Sequence, residues 1–137
     1  MYYYTSFNTK FMNYYHISSD NQDNKKFKPR IPVLRMDDED GKTKRVCFST
    51  SITGCLLAIS VPSYFTSIDK NFYVHVPVRY KGKIHKPTKK EVPDVIVTHE
   101  KWFLNTVKMK CIGKIKVYQS WKSKYGIRFK WVEKYDE

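Results

Sequence analysis

At 137 residues, with 41% hydrophobic and 16% aromatic residues, the chain has the size and apolar content of one folded domain, not of a disordered polymer. Three cysteines with no CxxC pair argue against a disulfide framework and a zinc site, and read as small buried thiols of a reduced, cytoplasmic protein. The formal charge of +13 favours anionic partners such as nucleic acid, a nucleotide or an acidic protein surface, and no apolar stretch is long enough to span a bilayer. The first residues lack the basic-then-apolar pattern of a signal peptide, and residues 1–13 read as a flexible N-terminal segment of a single domain spanning 1–137.

In chain order, Tyr14-Tyr15-His16-Ile17-Ser18 has the aromatic and β-branched character of a strand. Ser18 to Lys28 is polar and reads as a loop. Two prolines bracket Arg30-Ile31 and hold 29–32 extended. Asp37 to Gly41 is an acidic turn with a glycine exit. Arg45 to Ser49 is the next strand. Ser51 then caps a helix over Ile52 to Ile59, in which Ile52, Cys55, Leu56 and Ile59 share a face, and Pro62 stops it. Residues 72–78 alternate as a strand, and Gly82 to Pro87 is a basic loop. Val95 to Val97 is a short apolar run ending on Glu100, and 101–107 is strand or loop. Residues 108–118 and 127–132 alternate apolar with cationic residues, with a bulge expected at Gly113 and a turn over 120–125. The whole is an α+β domain of two packed β-sheets with few helices.

The order of parts around Arg45-Val46-Cys47-Phe48-Ser49-Thr50-Ser51 resembles the small ADP-ribosyltransferase-like domains, of the kind carried by phages and mobile elements. His16 stands on a first strand, Phe48-Ser49-Thr50-Ser51 leads from a second strand into a helix, and Glu100 begins a late strand. The resemblance implies an NAD-dependent mono-ADP-ribosyltransferase. Glu100 would be its catalytic carboxylate, and His16, Ser49, Ser51, Arg30 and Arg45 would hold the NAD. A carboxylate near the ribose would stabilise the positive charge that builds as the nicotinamide bond breaks. Guanidinium forks suit the pyrophosphate. Two departures bear on activity. Thr98 stands where many members have a second Glu or Gln, and Cys47 where many have a stacking tyrosine.

Residues 79–137 hold 16 Lys and Arg against 6 Asp and Glu. Within them Lys114, Lys116, Trp121, Lys122, Lys124, Arg128 and Lys130 interleave with Tyr118, Tyr125, Phe129 and Trp131. Lysines track phosphates and aromatic faces stack on bases, so this stretch is a candidate face for nucleic acid or for an acidic host protein. Alternating strands with solvated lysines give the same pattern. The second functional class is therefore a non-catalytic accessory protein of a phage or mobile element, one that binds nucleic acid or inhibits a host defence protein.

Overall fold

The computed structural model describes residues 13–32, 38–59 and 70–135. Most of the expected N-terminal segment, Asp37 of the acidic turn and Pro62 lie outside them. Over the described residues the fold is α+β and mostly sheet, with two antiparallel sheets and two helices.

The larger sheet is organised by β7 (Val107–Gln119). Its side chains alternate, so Val107, Met109, Cys111, Ile115 and Val117 are buried, while Lys108, Lys110, Lys114 and Lys116 point the other way. On one edge β7 pairs with β4 (Lys70–Val78), and β4 pairs with β1 (His16–Ser18). On the other edge β7 takes β2 (Lys26–Phe27) near its start and β8 (Ile127–Lys134) near its end. The smaller sheet has β6 (Glu100–Phe103) between β3 (Val46–Ser49) and β5 (Ile84–His85). A two-bond bridge from Tyr15 to Ser49 ties the sheets at their edges.

The strands at 14–18, 45–49, 72–78, 108–118 and 127–132 are present with shifted ends. The expected irregularity at Gly113 is also present. Register slips where Val74 and His75 face Gly113 and Cys111. A Cβ on Gly113 would lie 2.4 Å from the Glu133 carbonyl oxygen, so only glycine lets β8 approach.

Two expectations are corrected. The polar stretch 18–28 is not all loop, because Lys26–Phe27 pairs with β7. The basic loop 82–87 contains β5. The run Val95–Thr98 is a helical turn, α2, closed by His99 at φ 53°. Val-Ile-Val disfavours helix by propensity, so tertiary packing against the other helix decides it.

That helix, α1 (Ile52–Ala58), begins at Ser51, whose hydroxyl accepts from the Gly54 amide at 2.9 Å. It buries Ile52, Cys55 and Leu56 on Ile17, Val74, Ile115, Val117 and Ile127 of the large sheet. A second cluster, Val46, Phe48, Tyr80, Phe103, Val107 and Met109, fills the space between the sheets, with the Phe48 and Phe103 rings 4.1 Å apart. Gly54 is the tight point. A Cβ there would stand 2.3 Å from the Thr98 carbonyl oxygen and 2.4 Å from the Ser49 Oγ. Gly54→Ala is expected to cost about 1–3 kcal/mol by urea denaturation, because a backbone carbonyl cannot swing aside. An unchanged midpoint would show that the α1–α2 contact is not close-packed.

Candidate functional site

The strand β3 has two faces. Val46 and Phe48 look toward the large sheet. Cys47 and Ser49 look away from it, together with their partners Trp102 and Glu100 across the β3–β6 ladder. Three of these four outer-face side chains are buried: Trp102, Glu100 and Ser49.

Ser49 is a clamp. Its hydroxyl donates to the Thr98 carbonyl at 2.6 Å and accepts from the Ser51 amide at 3.2 Å. Ser51 is the helix cap described above. Both serines therefore have complete structural roles.

Glu100 is buried rather than solvated beside a lysine. Its Oε2 accepts from the Trp102 indole N–H at 2.7 Å and from the Cys47 thiol at 3.4 Å. Burial pushes the carboxyl above its ordinary range, the nearby Glu39 adds to this, and the indole, the thiol and Arg45 offset part of it. The same burial, reinforced by the carboxylate, pushes the Cys47 thiol up, and Cys55 is pushed up to about 12. Neither is a thiolate at neutral pH, so neither is a nucleophile. The three cysteines are free.

Arg45 is fully buried. Its Nη2 donates to Glu39 Oε2 at 2.8 Å, its Nη1 to the Thr43 carbonyl at 2.8 Å and to Asp40 Oδ2 at 3.4 Å. The guanidinium lies 3.9 Å from the centroid of the Trp102 ring. Among the described residues its Nε has no hydrogen-bond partner. Both terminal nitrogens of Arg45 are thus engaged within the chain, which leaves Nε as its unpartnered donor.

A cleft of about 580 Å³ opens between β1, the 27–32 segment and the start of β3. His16, Gln22, Phe27, Lys28, Arg30, Arg45 and Cys47 line it. His16 Nδ1 donates to the Cys47 carbonyl at 3.0 Å, which fixes the tautomer and leaves Nε2 as an acceptor. Burial lowers the His16 pKa, its hydrogen bond to Cys47 opposes that, and the charge of Arg30 lowers it further. Arg30 is exposed, and its backbone bridges Arg45 in both directions.

The cleft thus gathers His16, Arg30 and Arg45 from the expected set. Ser49, Ser51 and Glu100 do not line it. Their backbones are close, since Tyr15 bridges Ser49 and Ser49 faces Glu100, yet Glu100 meets the cleft only through Cys47. Sequence reasoning missed Gln22, Phe27, Lys28 and the role of Cys47. Only the polar and basic character of 18–30 could have signalled them.

The basic stretch divides. Lys114, Lys116, Arg128 and Lys130 lie on the outer face of the large sheet, and Trp121, Lys122 and Lys124 in the turn after β7. Tyr125, Phe129 and Trp131, expected to offer stacking faces, instead pack on the α1 core. Among the described residues no group of His, Cys, Asp and Glu could hold a metal ion. No helix among them is long and apolar enough to cross a membrane.

No family model matches this chain, and neither a curated protein nor a solved structure matches it.

Proposed function

We propose that the cleft binds an NAD-type nucleotide and that the chain is an ADP-ribosyltransferase-like protein. The observation that carries this reading is that His16, Arg30 and Arg45, drawn from three separate segments, line one cleft. Its volume falls within the roughly 300–1,000 Å³ usual for small-ligand sites. The residues fit an anionic ligand. Arg30 and Lys28 supply cations, the unpartnered Arg45 Nε is a buried donor, and His16 Nε2 is an acceptor for a hydroxyl. Phe27 supplies an apolar wall. NAD would bring a nicotinamide–ribose bond as the substrate for transfer.

A second, non-catalytic reading is favoured by Glu100. A carboxylate that stabilises a cation must be ionised and face it. Glu100 stands behind Cys47, holds hydrogen bonds to an indole and a thiol, and is shifted toward the protonated form. Binding without transfer, as in an accessory protein that withholds the nucleotide from a host protein, needs nothing from Glu100.

NAD titration by calorimetry, with turnover followed by nicotinamide release, separates the two. Arg30→Ala is expected to weaken NAD binding roughly tenfold, since a charge-assisted bond to phosphate contributes about 1.5–3 kcal/mol. Turnover that disappears in Glu100→Gln supports the transferase. Binding without turnover in either protein supports the accessory reading. No NAD binding in the folded wild type rejects both uses of the cleft.

A further inference from the structure

Residues opposite each other in a sheet project to the same side, so register decides which of the many lysines can act together. Lys114 faces Tyr73 on β4, and Lys116 faces Asn71 on β4 and Lys130 on β8. Tyr118 faces Arg128. One outer face of β4, β7 and β8 therefore carries Lys114, Lys116, Arg128 and Lys130 with Tyr73 and Tyr118 between them. Glu133, opposite Lys114, places a carboxylate on this face. The reverse side of the same strands is core, with Ile115, Val117 and Ile127 buried.

The face is mixed, not merely charged. Lys114 Nζ lies 5.7 Å from the Tyr73 ring centroid. At the end of the β7–β8 hairpin Trp121 is 103% exposed, beside Lys122 and Lys124. Trp121 contributes no burial to the fold, and its indole is held out at the margin of the cationic face. None of these residues lines the nucleotide cleft.

We infer that this sheet face and its hairpin tip bind single-stranded nucleic acid. Cations about 6.6 Å apart along a strand and about 4.8 Å apart across strands make a flat track for phosphates. The rings of Tyr73, Tyr118 and Trp121 take bases by stacking. A duplex keeps its bases stacked inside and has none to offer Trp121, so the exposed indole selects the single strand. This surface is independent of the cleft, and its failure would leave the nucleotide reading untouched.

The test is fluorescence anisotropy with a labelled single-stranded oligonucleotide of mixed sequence, its duplex, and a salt titration. Four phosphate contacts on a single strand give a slope of log affinity against log salt of about −3. Changing Lys114, Lys116, Arg128 and Lys130 together to Ala is expected to flatten that slope toward zero. Trp121→Ala, at an exposed tip where folding is not at risk, is expected to weaken binding about tenfold with the slope unchanged. Circular dichroism checks that the quadruple variant is folded. The inference is overturned by absent binding at low salt or by a duplex bound as tightly as the single strand. It is also overturned if neutralising Lys81, Lys83, Lys86 and Lys89 causes an equal loss, or if the partner captured from lysate survives nuclease.

Discussion

Arg45→Ala is expected to destabilise the fold by about 3–5 kcal/mol, the usual cost of breaking a buried ion pair from one side. The guanidinium is enclosed, and truncation removes its stacking on Trp102 and its bonds to Glu39, Asp40 and the Thr43 carbonyl together. Glu39 and Asp40 keep 11% and 18% of their side-chain surface exposed, so water relieves part of their loss. That places the effect toward the lower end of the range. Arg45→Met, which refills the space over Trp102 without a charge, is expected to recover a part of it. Urea denaturation measures both. A loss under about 1 kcal/mol for Arg45→Ala would show the guanidinium to be incidental. Since Arg45 also lines the cleft, its variants report on stability first, and Arg30 is the better probe of ligand binding.

Stability is expected to fall as the pH drops from 6.5 to about 4, by about 3 kcal/mol from His75 alone. His75 is fully buried, and burial is what lowers its pKa to about 4. Its Nδ1 donates to the His16 carbonyl at 3.2 Å, and its Nε2 accepts from the Gln22 amide at 2.9 Å. A second proton would put a donor against a donor. The unfolded chain takes that proton near pH 6.5 and the folded one only near 4, so between these values protons favour unfolding. Below about 4 the contribution is flat. His16, lowered as well, adds in the same direction. Glu100 acts oppositely, because its raised pKa makes stability decline as the pH rises above the ordinary carboxylate value of 4.5. Denaturation midpoints across this range, compared with His75→Gln, measure the effect. An unchanged acid limb in the variant would remove His75 as its source. Gln22 also lines the cleft, so acid should loosen one cleft wall before the sheets separate.

The long strands and α1 were legible because each carries several periods of its pattern. β7 alternates over thirteen residues, and Ser51 caps a helix whose apolar spacing is plain. β2 and β5 have two residues each and contain no period at all. They exist because Val107–Lys108 and Trp102–Phe103 offer free edges. α2 was illegible because local propensity points away from helix. The site was half legible. His16 and Arg30 can be named from residue type and neighbours. Which way Glu100 and Ser49 face depends on strand register against β6, which one sequence does not contain. The cationic face was legible as composition, but its division into outward lysines and inward Phe129 and Trp131 again required register.

Because β7 holds partners on both edges, the larger sheet cannot close before residues 107–119 have left the ribosome. Until then β4 has only the three-residue β1 to pair with, and β2 has nothing. The nascent chain must carry Phe48 and Phe103 without Val107 and Met109 to cover them, which makes folding late, dependent on distant contacts and slow for the chain's size. Ribosome-bound chains with Val107 still inside the exit tunnel should be protease-sensitive throughout, and those on a C-terminal linker that brings Lys134 clear of the tunnel should become resistant in one step.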